Sequence, residues 1–183
     1  MNKHAIIILA DGFEEVEAIT PIDMLRRAGI NVTLLGLASL DVRGSHDIIV
    51  KTDMLFDSFS GDFDALILPG GPGHKNLLDS QKVINLVVNT HRQNKLCAAI
   101  CAAPSVLGKA GILKDKKATC FPGYETTLGG ALFVDKKAVT DNNVITSRGA
   151  GTAVDFALEI ITWLLDKNTA DSVAAKIVYR DNC

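Results

Sequence analysis

KLCAAICAAPSVLGKA, residues 95–110, begins as a short apolar run and ends at helical spacing, with Cys101 at the changeover. Residues 95–100 read as a buried strand, and a helix follows Cys101 through Ala110. The pattern recurs outward along the chain. HAIIILA (4–10) is an isoleucine-rich strand, and EEVEAITPIDMLRRAG (14–29) is a helix. That helix has apolar spacing at Val16, Ile19, Ile22 and Leu25, an acidic first turn, a basic last turn and Gly29 as its stop. Pro21 predicts a kink within it rather than an end. Strands are expected at 31–38, at 64–71 running into glycines, at 117–120, 131–135 and 138–141, and at 143–147; residues 46–55 read as a strand or hairpin arm. Helices are expected at 76–94, 153–165 and 170–179. Strands alternating with helices of this length predict an α/β fold, a mostly parallel sheet with helices on both faces.

The chain has 183 residues, 48% hydrophobic and 22% charged, with a net charge of −2. These values fit one globular domain spanning 1–183 and leave no basic run for nucleic acid as the main partner. No apolar stretch approaches the ~20 residues of a membrane span. Four cysteines, Cys97, Cys101, Cys120 and Cys183, do not form a disulfide framework, so a reducing cytoplasmic setting is expected.

In an open α/β sheet, ligands bind beyond the carboxyl ends of the strands. Four such ends carry unusual residues: Asp11-Gly12, PGGPG (69–73), Cys101 and SRGAG (147–151). If the fold is right, all four share one edge and make a site. GGPGHKN lacks the Lys-Ser/Thr of a P-loop, and GAGTAV has Val154 where a dinucleotide turn needs its third glycine. No zinc-like pair of ligand pairs exists, so neither cofactor nor metal is expected.

Unpaired cysteines are commonly buried fillers, and Cys97 and Cys120 read that way. Cys101 differs because Ala99 and Ala103 give it the small flanking residues of a nucleophile elbow. A following helix would point its free N–H groups at the sulfur and lower its pKa from about 8.5 toward 3.5–7.5. Of the histidines, His4, His46, His74 and His91, only His74 falls near Cys101 within one chain, so a protease-like triad is poorly supported. Acid is at hand instead: Glu14, Glu15 and Glu17. Residues three apart share a helix face, so Glu14 and Glu17 are paired, and Glu15 is expected to be replaceable.

Taken together, LADGFEEVEAITPIDMLRRAGINVT, DALILPGGPGHKNL, AAICAAPSVL and ITSRGAGTAVDFALEI resemble the ThiJ/PfpI family. The branch is that of the Parkinson-disease protein deglycases and their bacterial ThiJ-type relatives, in the class I glutamine amidotransferase-like superfamily. The resemblance runs nearly end to end. It implies a flavodoxin-like three-layer sandwich and a homodimer. It makes Cys101 the reactive, oxidation-prone cysteine and Glu17 the protonated acid beside it. Gly70, Gly71 and the N–H of Ala102 become the donors of an anion pocket, with Arg148 at its edge and Glu14 shaping it or touching substrate. There are departures. Phe121 stands at a pocket-histidine position, His46 at a pocket arginine from the second subunit, and Ala150 at a proline.

The implied chemistry is glyoxalase or deglycase-type work on methylglyoxal, glyoxal or glycated adducts, with oxidation sensing at the same cysteine. A non-catalytic redox sensor or chaperone is the alternative. A cysteine amidase or peptidase is disfavoured by the missing histidine.

Overall fold

The computed structural model describes residues 3–179. The first half contains β1 (His4–Leu9), α1 (Glu15–Arg27), β2 (Asn31–Gly36), β3 (Asp41–Arg43), β4 (Ile49–Lys51), β5 (Met54–Leu55), β6 (Ala65–Leu68), α2 (His74–Asp79) and α3 (Gln81–Arg92). The second contains β7 (Leu96–Ile100), α4 (Pro104–Lys109), β8 (Lys117–Ala118), β9 (Leu132–Phe133), β10 (Ala138–Asp141), β11 (Val144–Ser147), α5 (Ala153–Leu164) and α6 (Lys167–Lys176). Seven strands form one sheet in the order β10-β11-β7-β6-β1-β2-β5. Every neighbouring pair is parallel except β10 with β11 at the edge. This is the expected flavodoxin-like α/β sandwich.

The apolar runs alternate between two cores. Ala5, Ile7 and Leu9 of β1 face one way with Ile67, Ala98 and Ile100, and pack against α1, α5 and α6. Ile6 and Ile8 face the other way with Leu66, Leu68 and Cys97, against α2, α3 and α4. A strand buried on both faces has no polar side, which is why these segments read as unbroken apolar runs. Beyond β1, the chain turns to β2 on one side, while β6 and β7 lie on the other. The reversal opens a crevice at the carboxyl ends of β1 and β6, the place where such folds hold ligands. The four unusual strand ends lie along this edge because β1, β6, β7 and β11 are parallel neighbours.

Several local readings change. The helix expected over 76–94 is two helices, because the Ser80 hydroxyl accepts the Val83 N–H and starts α3 afresh. Part of 46–55 is indeed a hairpin arm: β4 pairs antiparallel with β3, while β5 joins the main sheet. Residues 117–118 pair with 132–133 in a separate ribbon. The helix α1 continues through Pro21, but Val16 and Ile19 are exposed; Ala18, Pro21, Ile22, Met24 and Leu25 form its buried face. Among the described residues, no helix is long and apolar enough to cross a membrane.

Candidate active site

Cys101 sits between β7 and α4 with φ +65°. A side chain in this left-handed region costs on the order of 1–3 kcal/mol and persists only where its surroundings over-determine it. They do here. The Cys101 N–H donates to the Ser147 carbonyl at 2.9 Å, and its own carbonyl accepts the Phe121 N–H at 2.8 Å. Ala99 and Ala103 beside it are fully buried. Opposite stands Gly70, where a Cβ would lie 2.6 Å from the Cys101 Cβ and 2.7 Å from Glu17 Oε2. Only glycine fits between the two functional side chains.

Glu17, the third residue of α1, is 1% exposed and hydrogen-bonds Cys101. Its Oε2 accepts the Gly70 N–H at 2.9 Å, and the Ala150 N–H also reaches the carboxyl. Burial outweighs these donors and raises its pKa to about 7. The Gly71 and Ala102 N–H groups hydrogen-bond the Cys101 sulfur. Gly70 therefore differs from the expected sulfur-side donor: its N–H is spent on Glu17.

The lowered thiol pKa expected of an elbow is not what the geometry gives. Burial, and then the Glu17 charge, push Cys101 up to about 12, against the pull of the Gly71 and Ala102 donors. The physical reason lies in α4, which begins only at Pro104 and is six residues long, so little helix dipole reaches the sulfur. Glu17 and Cys101 together resist carrying two negative charges. With the acid at about 7 and the thiol at about 12, the proton rests on sulfur when Glu17 ionises, and the thiol donates its hydrogen bond to the carboxylate.

A cavity of about 270 Å³ opens on Cys101, lined by Gly71, Pro72, His74, Lys75, Ala102, Phe121 and Tyr124. Arg148 is not among these residues. Its Nη1 donates to Asp135 Oδ1 at 2.5 Å, and its guanidinium lies 5.8 Å from the Phe133 ring centroid. His46 is also away from the sulfur within one chain. Its Nδ1 lies 3.0 Å from Glu15 Oε2 and 3.6 Å from Glu14 Oε1. The hydrogen bond to Glu15, with the charges of Glu14 and Glu15, raises the His46 pKa. Glu14 precedes α1; its N–H donates to the Gly70 carbonyl at 3.1 Å, and its Oε2 accepts from the Ser45 hydroxyl at 3.0 Å.

Glu15 is the residue that sequence reasoning passed over. It is 6% exposed, and its Oε1 accepts the His46 N–H at 2.7 Å. Burial opposes its charge, but His46 and Ser45 outweigh it and hold the carboxyl at about 2. These partners lie 30 and 31 residues away, beyond any local pattern. Glu15→Gln is accordingly expected to loosen the turn between β3 and β4 and to lower the His46 pKa. Stability supplied by Glu15 is present above its ordinary pKa of 4.5 and lost as pH falls toward 2. NMR titration of His46 with acid melts of both proteins reads this; an unmoved His46 would return Glu15 to the replaceable role.

An acid and a cysteine joined at a strand-to-helix elbow, on the carboxyl edge of a parallel sheet, define a cysteine-centred α/β sandwich protein. The DJ-1/PfpI family model matches residues 3–163, and the chain belongs to that family. It is 41% identical over 187 residues to Protein dj-1beta of Drosophila melanogaster, covering all of both chains. The crystal structure of Drosophila melanogaster DJ-1beta superposes with a TM-score of 0.94 at 40% identity, covering 98% of this chain and 100% of the other. A deglycase of Pyrococcus abyssi is 31% identical over 162 residues, 87% of this chain and 98% of the relative.

Proposed function

We propose that this DJ-1-type stress-protection protein uses Cys101 on methylglyoxal, glyoxal or their adducts. One observation carries the reading: a buried acid with a raised pKa is bonded to a cysteine that two backbone N–H groups also hold. As a carboxylate, Glu17 takes the thiol proton while the sulfur adds to the aldehyde carbon, forming the C–S bond as the carbonyl electron pair moves to oxygen. Backbone N–H groups hold the oxyanion, and Glu17 gives it the proton. Glu17, again a carboxylate, takes the proton from that carbon and returns it to the neighbouring carbon. The hydroxyl proton passes to the former ketone oxygen, which leaves a thioester. Water releases lactate from the sulfur. The aldehyde carbon is oxidised and the ketone carbon reduced within one molecule, so no external oxidant enters. The Pyrococcus relative named a deglycase supports reactive carbonyl adducts as the substrate class. The wild-type protein should form lactate from methylglyoxal; absence of turnover overturns the enzymatic reading and leaves the sensor.

The sensing reading rests on the same pair. Peroxide oxygen adds to the sulfur with release of water, and a second equivalent gives the sulfinate, which a protonated Glu17 stabilises by donation. Cys97 and Cys120 are fully buried, whereas Cys101 is partly exposed and lines the cavity, so of these three peroxide reaches Cys101 alone. Mild peroxide should therefore add two oxygens at Cys101 alone. Cys183 lies outside the described residues and is replaced first. Peptide mapping that finds Cys97 oxidised before Cys101 would sink the assignment.

A homodimer completes the proposal. Val16 and Ile19 on α1 and Ile48 and Ile49 beside the ribbon are exposed large apolar residues that a second copy would cover. His46 would then serve the partner's pocket. Its raised pKa holds the positive charge above the ordinary 6.5, so anion affinity is present below that value and is lost as pH rises through the raised one. His46→Arg should abolish the dependence; a monomer by sedimentation rules the arrangement out.

A further inference from the structure

His74 is the first residue of α2 and lines the Cys101 cavity. It is 4% exposed, with its ring edge-on to Tyr124 at 5.3 Å between centroids. A buried histidine packed against an aromatic ring is ordinarily a packing residue, but the hydrogen bond of His74 is aimed at the site. The Nδ1 atom lies 2.8 Å from the Gly71 carbonyl, and the His74 backbone N–H donates to the same oxygen at 3.1 Å. A carbonyl only accepts, so Nδ1 carries the hydrogen of this bond. Gly71 is held at φ +77°, where a Cβ would lie 2.5 Å from the Glu14 nitrogen. The N–H of this same Gly71 is one of the two donors on the Cys101 sulfur.

We infer that His74 is a positioning residue that sets the reactivity of Cys101 by clamping the Gly71 carbonyl, so that the Gly71 N–H stays on the sulfur. Two donors on one carbonyl fix the orientation of a residue whose own conformational freedom is otherwise the greatest in the chain. The inference deepens the reading of Cys101 as the reactive group and rests on it for its functional meaning. The titratable groups around the pair are Glu17 and Glu14 at α1, His74 and Lys75 on α2, and Tyr124 across the cavity.

The test is the pH–rate profile for alkylation of Cys101 by iodoacetamide, followed by peptide mapping in a Cys183→Ser background. His74→Phe keeps an aromatic ring against Tyr124 and loses the donor. Its Cys101 should alkylate about fivefold more slowly near neutral pH, the scale of one neutral hydrogen bond, with the profile displaced upward. His74→Asn places an amide N–H near the position of Nδ1 and should restore most of the rate. His74→Leu replaces His74→Phe should the latter not fold. A purely packing role would lower the melting temperature of both variants and leave the profiles superimposed, and that result overturns the inference. Equal slowing in Phe and Asn also overturns it. Were Cys101 of the wild-type protein not to alkylate ahead of Cys97 and Cys120, the reading of it as the reactive group would fall. The displacement between variants would still be read from the same curves.

Discussion

Cys101→Ala is expected to reduce lactate formation from methylglyoxal by about 10³-fold or more, the scale of losing a covalent nucleophile. Alanine at this position keeps the same left-handed backbone and the bonds to Ser147 and Phe121, so the fold survives. The control is Cys97→Ala. Cys97 lies on the opposite face of the sheet, with its sulfur toward the Val87 carbonyl at 3.7 Å, and its loss should leave turnover within about twofold while costing on the order of 1 kcal/mol of packing. Retained turnover in Cys101→Ala, with loss in Cys97→Ala, would move the chemistry to the wrong side of the sheet for every other residue named here.

Glu17→Gln is expected to cut turnover by about 10²-fold, because an amide keeps a donor but moves no proton. The same substitution has a stability signature of opposite sign. The folded-state pKa of Glu17 is raised from 4.5 to about 7, so between those values the folded chain holds a proton that the unfolded chain has released. Stability therefore falls as pH rises through that window, and the cost levels off above it at about 3 kcal/mol. Glutamine removes the cost. Discounted for hydrogen bonds an amide gives up, the variant should be about 2 kcal/mol more stable than the wild-type protein above pH 7, with the advantage gone near pH 4. Thermal melts across that range read it directly. A variant that is less stable at both ends would mean Glu17 is ionised and paid for by its donors.

The strands were legible because both faces of the sheet are covered, which writes each of them as a solid apolar run such as Ala5 to Leu9. Cys101 was legible for a related reason: the close crossing at the elbow admits only Ala99 and Ala103 around it. Helical spacing only paired Glu17 with Glu14; the family resemblance singled out Glu17. The misreadings concern what spacing alone does not carry. Val16 and Ile19 fit an apolar stripe yet face outward, because α1 turns its Ala18, Ile22 and Leu25 face to the sheet. Glu15 gains its role from Ser45 and His46, contacts made only when the ribbon folds back over the start of α1 through the Phe13–Gly44 bridge. Ser80 did carry a capping signal for the break between α2 and α3, hidden inside a longer amphipathic run. The raised Cys101 pKa depended on burial and on the Glu17 charge, neither of which a five-residue motif encodes.

The central claim is that Glu17 and Cys101 form one buried pair that does not carry two negative charges near neutral pH, with the Glu17 carboxyl still protonated below about pH 7. Infrared difference spectra of wild-type protein against Glu17→Gln, recorded with the ultraviolet thiolate absorbance against Cys101→Ala, test it most directly. At about pH 6, below the raised Glu17 pKa of about 7, the account predicts a protonated-carboxyl band that Glu17→Gln lacks, and a Cys101 thiolate absorbance that emerges only at far higher pH. A carboxylate band from Glu17 at about pH 6 would contradict it.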